Sequence, residues 1–274
     1  MAKARKKSLK KKKFKLSAKC KLYAKRAMAG LVGMSLLLTS TYCTLNASQL
    51  HKNWLRNKVG NSIVKIVLLD EDRHVRGGGT GFAIASPKGK KYILTNAHVC
   101  DAFKGASKLD VMLPDGKIVE RKIIDISGTT DLCLVEGIEE LPTISLASSV
   151  YVGEELALIG HPRLQPLTLS MGEIVGDGEV SYMMGIIGVD MEEVSCQQPK
   201  NRIVEVNSFF GPVKLCVVTI QAQLTTIVTL GGNSGSPVVN FWGHVVGVIF
   251  AGDSDANWGD MIKLADINSF LSRY

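Results

Sequence analysis

This sequence predicts an all-β fold, a barrel or a sandwich, on three observations. From about Val59 onward, short runs rich in β-branched and apolar residues recur along the chain. Clusters of Gly, Pro, Asp and Ser separate those runs at turn-like intervals. Helix signals are confined to two short segments, and no period of the repeat-protein kind is present. Short strands with that punctuation are how closed or stacked antiparallel sheets are written.

The elements follow in order. Ser62-Ile63-Val64-Lys65-Ile66-Val67-Leu68-Leu69 reads as the first strand. Gly81–Ala85 and Lys91–Thr95 flank Ser86-Pro87-Lys88-Gly89-Lys90, the composition of a hairpin turn. Val111–Leu113 and Lys117–Val119 flank Pro114-Asp115-Gly116 in the same way. Leu156–Ile159, Ile186–Val189, Val217–Ile220 and Val245–Ile249 continue the series. The helices are a turn after His98 and an end segment from Asp266, read as an N-cap, through Ile267, Phe270 and Leu271. A boundary near residues 139–152 splits the body into halves of about 90 and 120 residues. Nothing follows the second half, so no appended recognition domain is expected.

Charge separates the tail from the body. Residues 1–26 hold thirteen Lys or Arg, and no acid precedes Asp70. The remainder has 20 basic against 25 acidic residues, a net charge of −5, which argues against a nucleic-acid-binding face on the body. The basic tail runs into an uncharged stretch, Ala27–Cys43, as in an export signal. Seventeen residues is also near the lower limit for crossing a bilayer. The expected layout is a basic tail over 1–26, a signal sequence or membrane anchor over 27–47 with Ala47 at its end, and an exported body over 48–274. Membrane association, if any, would run through residues 27–43. Four cysteines remain beyond residue 47: Cys100, Cys133, Cys196 and Cys216. Their even number permits two disulfides in an oxidising compartment, or four buried thiols in a reducing one. A bond between Cys100 and Cys133 would close a 33-residue loop, with a chain-entropy stabilisation of roughly 3–4 kcal/mol.

One run concentrates chemistry: Gly232-Asn233-Ser234-Gly235-Ser236-Pro237. A serine is a weak nucleophile and needs a base, while flanking glycines let the backbone turn and aim N–H groups at a developing oxyanion. Taken alone the run is an ordinary turn. Of five histidines, only His98 has a suggestive setting, at the end of Tyr92-Ile93-Leu94-Thr95. Asp131 opens the apolar run Leu132–Val135, where a carboxylate must be solvated or hydrogen-bonded. Base, acid and nucleophile in this order and division are the requirements of a serine triad.

Thr95-Asn96-Ala97-His98-Val99, Thr130-Asp131-Leu132 and Gly232–Pro237 resemble the three signatures of chymotrypsin-fold (trypsin-like) serine proteases, closest to the HtrA/Deg-like branch. Gly79-Thr80-Gly81-Phe82, Val152-Gly153 with Leu158–Pro162, and Ser170–Val175 extend the likeness over roughly residues 55–270. The resemblance implies two perpendicular six-stranded antiparallel β-barrels, over about 55–140 and 150–265, with a short C-terminal helix. It implies a serine endopeptidase working through an acyl-enzyme, with catalytic His98, Asp131 and Ser234. The oxyanion hole falls on Gly232-Asn233-Ser234, through the backbone N–H groups of Gly232 and Ser234. Phe250-Ala251-Gly252 stands where a strand pairs with an extended substrate. Proteins or peptides are the implied partners, and no cofactor or metal is implied.

The departures carry information too. Asn233 replaces the aspartate that digestive enzymes pair with a new N-terminus, so propeptide activation is not expected. Ser236 replaces a glycine and requires a negative φ. Val228 stands where trypsin-type enzymes carry an acid, which disfavours Lys or Arg at P1 and suggests a small or medium apolar residue. The stretch Asp177–Val218 aligns poorly and reads as an insertion closed by Cys196 and Cys216. The PDZ domain familiar in the HtrA/Deg-like branch is absent. An α/β-hydrolase is excluded by the order of the three residues. Zinc-hydrolase motifs are missing, and Gly77-Gly78-Gly79 lacks the lysine of a P-loop. The alternatives left by the sequence are an inactive protease fold serving as a binding module, or a polyanion-binding protein acting through its tail.

Overall fold

The computed structural model describes residues 47–101, 107–127, 129–187, 196, 201–208, 211–253 and 258–274. The chain divides into two compact units, residues 1–51 and 52–274. In the first, residues 47–51 are helical; the stretch Ala27–Cys43 lies outside the described residues. Among the described residues, no helix is long and apolar enough to cross a membrane. All that follows concerns the second unit.

Residues 52–59 form helix α1, which the sequence reading did not anticipate. Only Leu55 and Val59, spaced i and i+4, are fully buried along it, too short an apolar stripe to stand out as a pattern. A 3-10 turn at Gly60–Ser62 leads into the first barrel. That barrel comprises β1 (Ile63–Leu69), β2 (Val75–Ala85), β3 (Lys91–Asn96), β4 (Lys108–Met112), β5 (Ile118–Ile126) and β6 (Leu132–Glu136), with helix α2 (Ala97–Asp101) after β3. The strand order is β1-β2-β3-β6-β5-β4, closed by pairing of Lys65 with Met112 between β1 and β4. Closure leaves no unpaired sheet edge.

The second barrel comprises β7 (Glu155–Gly160), β8 (Thr168–Ile186), β10 (Gly211–Thr225), β11 (Pro237–Asn240), β12 (Val245–Asp253) and β13 (Trp258–Lys263). Its order, β13-β12-β11-β7-β8-β10, closes where Ala222–Thr225 of β10 pair with Gly259–Ile262 of β13. Strand β9 (Asn201–Ser208) pairs with β10 outside this ring, beside the Cys196–Cys216 disulfide. Among the described residues, the poorly aligning stretch comprises the extended ends of β8 and β10 and the added strand β9. Helix α3 (Leu264–Leu271) follows β13 directly. It starts ahead of the expected cap: Lys263 precedes it, and Asp266 lies inside the first turn, where a carboxylate suits the positive end of the helix dipole.

Period-two alternation positions the barrels. In β2, β3 and β6, Ala83, Ile93, Cys133 and Val135 face a core confined to the first barrel. Their neighbours Phe82, Leu94, Leu132 and Leu134 join a cluster that continues through Ala157, Val248 and Ile262 of the second barrel and Phe270 of α3. These strands are buried on both faces, which explains their unbroken apolar runs.

Candidate active site

His98 is the second residue of α2, immediately beyond the end of β3, and Asp131 immediately precedes β6, the neighbour of β3. The Asp131 side chain accepts the His98 backbone N–H at Oδ1 (2.9 Å) and faces His98 Nδ1 from Oδ2 at 2.8 Å. Its carbonyl accepts the Ala97 N–H and the Asn96 side-chain amide, both at 3.0 Å. These four contacts hold Asp131 in a left-handed conformation (φ 50°) that a non-glycine residue adopts at a cost of about 1–2 kcal/mol. The carboxylate is 2% exposed and the imidazole 34% exposed. A carboxylate only accepts, so the proton sits on Nδ1 and Nε2 is left as the basic nitrogen. Burial pulls the imidazole pKa down, but the hydrogen bond and charge of Asp131, helped by Asp101, outweigh it and raise the value above 6.5. A disulfide joins Cys100 to Cys133, two residues beyond His98 and Asp131 respectively, with Cα atoms 6.5 Å apart.

Ser234 lies on a tight turn tied to both barrels. Asn233 N–H donates to Leu230 O (3.0 Å), Ser236 N–H to Asn233 O (2.8 Å) and Gly235 N–H to Ile249 O (2.9 Å). Thr80 of β2 brackets the turn: its N–H donates to Ser234 O and its hydroxyl to Gly232 O, each at 2.8 Å. The same hydroxyl accepts His161 N–H at 3.1 Å, while Thr80 O accepts the Thr95 hydroxyl at 2.7 Å. Glycine is required at 232 and 235, where φ is 90° and 83°. Ser236 is not among the residues with positive φ, as its side chain demands. A Cβ placed on Gly79 would lie 2.8 Å from both Ser234 O and Val99 Cγ2, so the serine turn and the His98 helix meet across that glycine.

The amides of Gly232 and Ser234 donate to no group among the described residues. The Asn233 amide is committed to Leu230, so within Gly232-Asn233-Ser234 only the two amides expected as donors, those of Gly232 and Ser234, are undonated. Arg163 N–H donates to Gly231 O at 2.5 Å from a loop in which Arg163 and Leu164 both have positive φ, 51° and 57°. A trans peptide points C=O and N–H in opposite directions, so this bond turns the Gly232 N–H away from residues 163–164.

Along the expected binding strand, the side chains and the backbone differ in access. Phe250 is 4% exposed, packs in the core shared by the barrels, and sits where the β12–β13 register shifts. Its side chain is therefore unavailable to a substrate, and only its backbone belongs to the edge. Pairing of β12 with β11 ends at Val248, so Ala251 and Gly252 have β13 on one side and no strand on the other among the described residues. Val228, 38% exposed, is brought close through its neighbour Thr229, whose Cγ2 lies 2.0 Å from where a Gly252 Cβ would stand.

Residues 79–248 match the family described as a trypsin-like peptidase domain. The chain belongs to that family. It is 30% identical over 193 residues to the putative serine protease HhoA of Synechocystis, covering 68% of this chain and 39% of that one. To the serine protease Do-like HtrA of Bacillus subtilis it is 30% identical over 176 residues, covering 63% and 33%. The chain thus spans between 33% and 39% of the length of these curated relatives. Among solved structures, the active form of the Rv3671c protease from M. tuberculosis superposes with a TM-score of 0.55 at 21% identity, covering 80% of this chain and 82% of that one. The serine endoprotease from Yersinia pestis gives 0.55 at 21%, covering 81% and 66%. Both share the fold.

Three residues that hold this candidate site were not singled out in the sequence. Thr80 lay within a recognised motif, yet nothing marked its hydroxyl as a bridge between barrels. Arg163 and Thr229 carry no sequence signal, because their contacts depend on loop geometry.

Proposed function

We propose that this chain is a serine endopeptidase that cleaves protein or peptide substrates through an acyl-enzyme. The observation that carries the reading is the buried Asp131 carboxylate, 2.8 Å from His98 Nδ1, beside a Ser234 turn with two undonated amides. The substrate carbonyl carbon is attacked by Ser234 Oγ while His98 Nε2 takes the hydroxyl proton. Asp131 holds the ring and stabilises the imidazolium. The tetrahedral oxyanion is received by the Gly232 and Ser234 N–H groups. Imidazolium then protonates the departing amine as the C–N bond breaks. Water repeats the sequence with the acyl-serine, restoring Ser234 and releasing the acid. The acyl side of the substrate lies along Ala251–Gly252 with its P1 side chain near Val228, whose character favours small or medium apolar groups.

We infer also that the body works outside the cytoplasm. Two disulfides and the basic-then-apolar sequence of residues 1–47 support export, with the stretch 27–43 either cleaved or retained as an anchor.

A fluorophosphonate probe tests the chemistry. Residues 48–274 should be labelled on Ser234, and Ser234→Ala should lose both labelling and peptide cleavage. A folded wild-type protein that is neither labelled nor active would make the fold a binding module.

A further inference from the structure

Beside the proposed oxyanion hole lies a cleft of about 610 Å³ whose wall includes Gly231 and Gly232. Three cationic side chains line it: Lys65 of β1, Arg76 of β2 and Arg163. No carboxylate lines it. Arg76 is held by Asp70, with Nε–Oδ2 and NH2–Oδ2 distances of 2.6 Å. Lys65 and Arg163 have no acidic partner among the described residues. The root of Arg163 is fixed, because its N–H is bonded to Gly231 O. A body with a net charge of −5 therefore concentrates two uncompensated cations at the rim of its candidate active site.

The side of the site on which this cleft lies decides what it meets. It shares Gly232 with the oxyanion turn, yet no part of its wall comes from β12. A chain whose acyl side runs along Ala251–Gly252 and passes Ser234 leaves through this cleft on the far side of the scissile bond.

Resting on the peptidase reading above, we propose that the cleft binds the first residues after the scissile bond and selects acidic side chains there. Lys65 and Arg163 are the specificity-determining residues. A guanidinium offers a carboxylate a fork of donors, and a positive wall draws anionic chains toward the site before contact.

The test uses two peptides with the same acyl side, one carrying Glu and Asp after the scissile bond and the other Gln and Asn. The acidic peptide should have about tenfold higher kcat/KM at low salt, the scale of two partly exposed ion pairs. The preference should fall to about twofold or less in 0.5 M salt and in the Lys65→Gln, Arg163→Gln double variant. Equal cleavage of both peptides by wild type, or a preference that survives the double variant, overturns the proposal and leaves the peptidase reading intact. Free succinate separates a side chain carried by the substrate from a soluble anion. Competition against the acidic peptide alone supports the proposal, whereas faster cleavage of the neutral peptide would make the cleft an effector site and overturn it. If wild type cleaves neither peptide and resists fluorophosphonate, the peptidase reading fails on its own. Binding of both peptides to Ser234→Ala then decides the cleft: a salt-sensitive preference for the acidic one sustains it, and equal binding sinks it.

Discussion

Asp131 carries three burdens at once: a left-handed backbone, a buried charge and the orientation of His98. Asp131→Asn keeps the shape but gives the ring a partner that also donates, so Nδ1 loses its fixed proton. On the proposed mechanism kcat should fall about 10³- to 10⁴-fold, with KM little changed, as steady-state kinetics will show. The His98 proton links activity and stability with opposite signs. Its folded pKa is raised above 6.5, so the pair stabilises the fold fully below that value and loses the contribution as pH rises through the folded pKa. Activity needs the neutral base and should climb over the same interval. A pH–rate profile whose rising limb lies below 6.5 would contradict this. A different pair shows how one departure from the family pattern is accommodated. Ser236 Oγ occupies the space that a side chain at Gly160 would take, 1.9 Å from its ideal Cβ. Gly160→Ala should destabilise the protein by about 1–3 kcal/mol in denaturant titration, and Ser236→Gly should recover most of that loss. The sequence displayed both residues but not their contact, which depends on β7 meeting the serine turn.

At the scale of elements, the disulfides divide the labour. Cys100–Cys133 pins α2 to β6, the segments that carry the base and the acid. Replacing both cysteines by Ala should lower stability by about 3–4 kcal/mol, measured by reversible unfolding. Cys196–Cys216 instead ties down the extension around β9, outside the barrel ring. Cys196→Ser with Cys216→Ser should therefore speed hydrogen exchange in β9 while leaving the amides of β7, β11 and β12 protected. Strand runs and their hairpin turns were legible because alternation and turn chemistry are local. The joining of Val217–Ile220 into the fifteen-residue β10 was not, since its ends are set by pairing with β8, β9 and β13. Helix α1 escaped notice because the few apolar side chains it buries only find their purpose against the barrels.

For the whole molecule, the order His98, Asp131, Ser234 and the motif spacings made the candidate site legible, since each residue sits at an element boundary marked by its own motif. The surroundings that refine it were opaque: Phe250 of β12 turns inward at a register shift, and the positive wall draws on the β1–β2 hairpin and on residues 163–165, far apart in sequence. Thr80 shows the scale best, because one hydroxyl of the first barrel joins Gly232 O and His161 N–H of the second. Thr80→Val retains the shape and strands both groups. The expected result is a loss of roughly 2–3 kcal/mol in stability together with slower fluorophosphonate labelling.

On the proposed mechanism, the base and its acid, His98 and Asp131, belong to one barrel and the nucleophile, Ser234, to the other. A chain emerging from its N-terminal end completes the first barrel while Ser234 is still unmade or unfolded, and that barrel alone has nothing with which to attack. If Ser234 is the nucleophile, chemistry begins only when the last strands close, and the topology itself would spare the nascent chain and its neighbours from premature cutting.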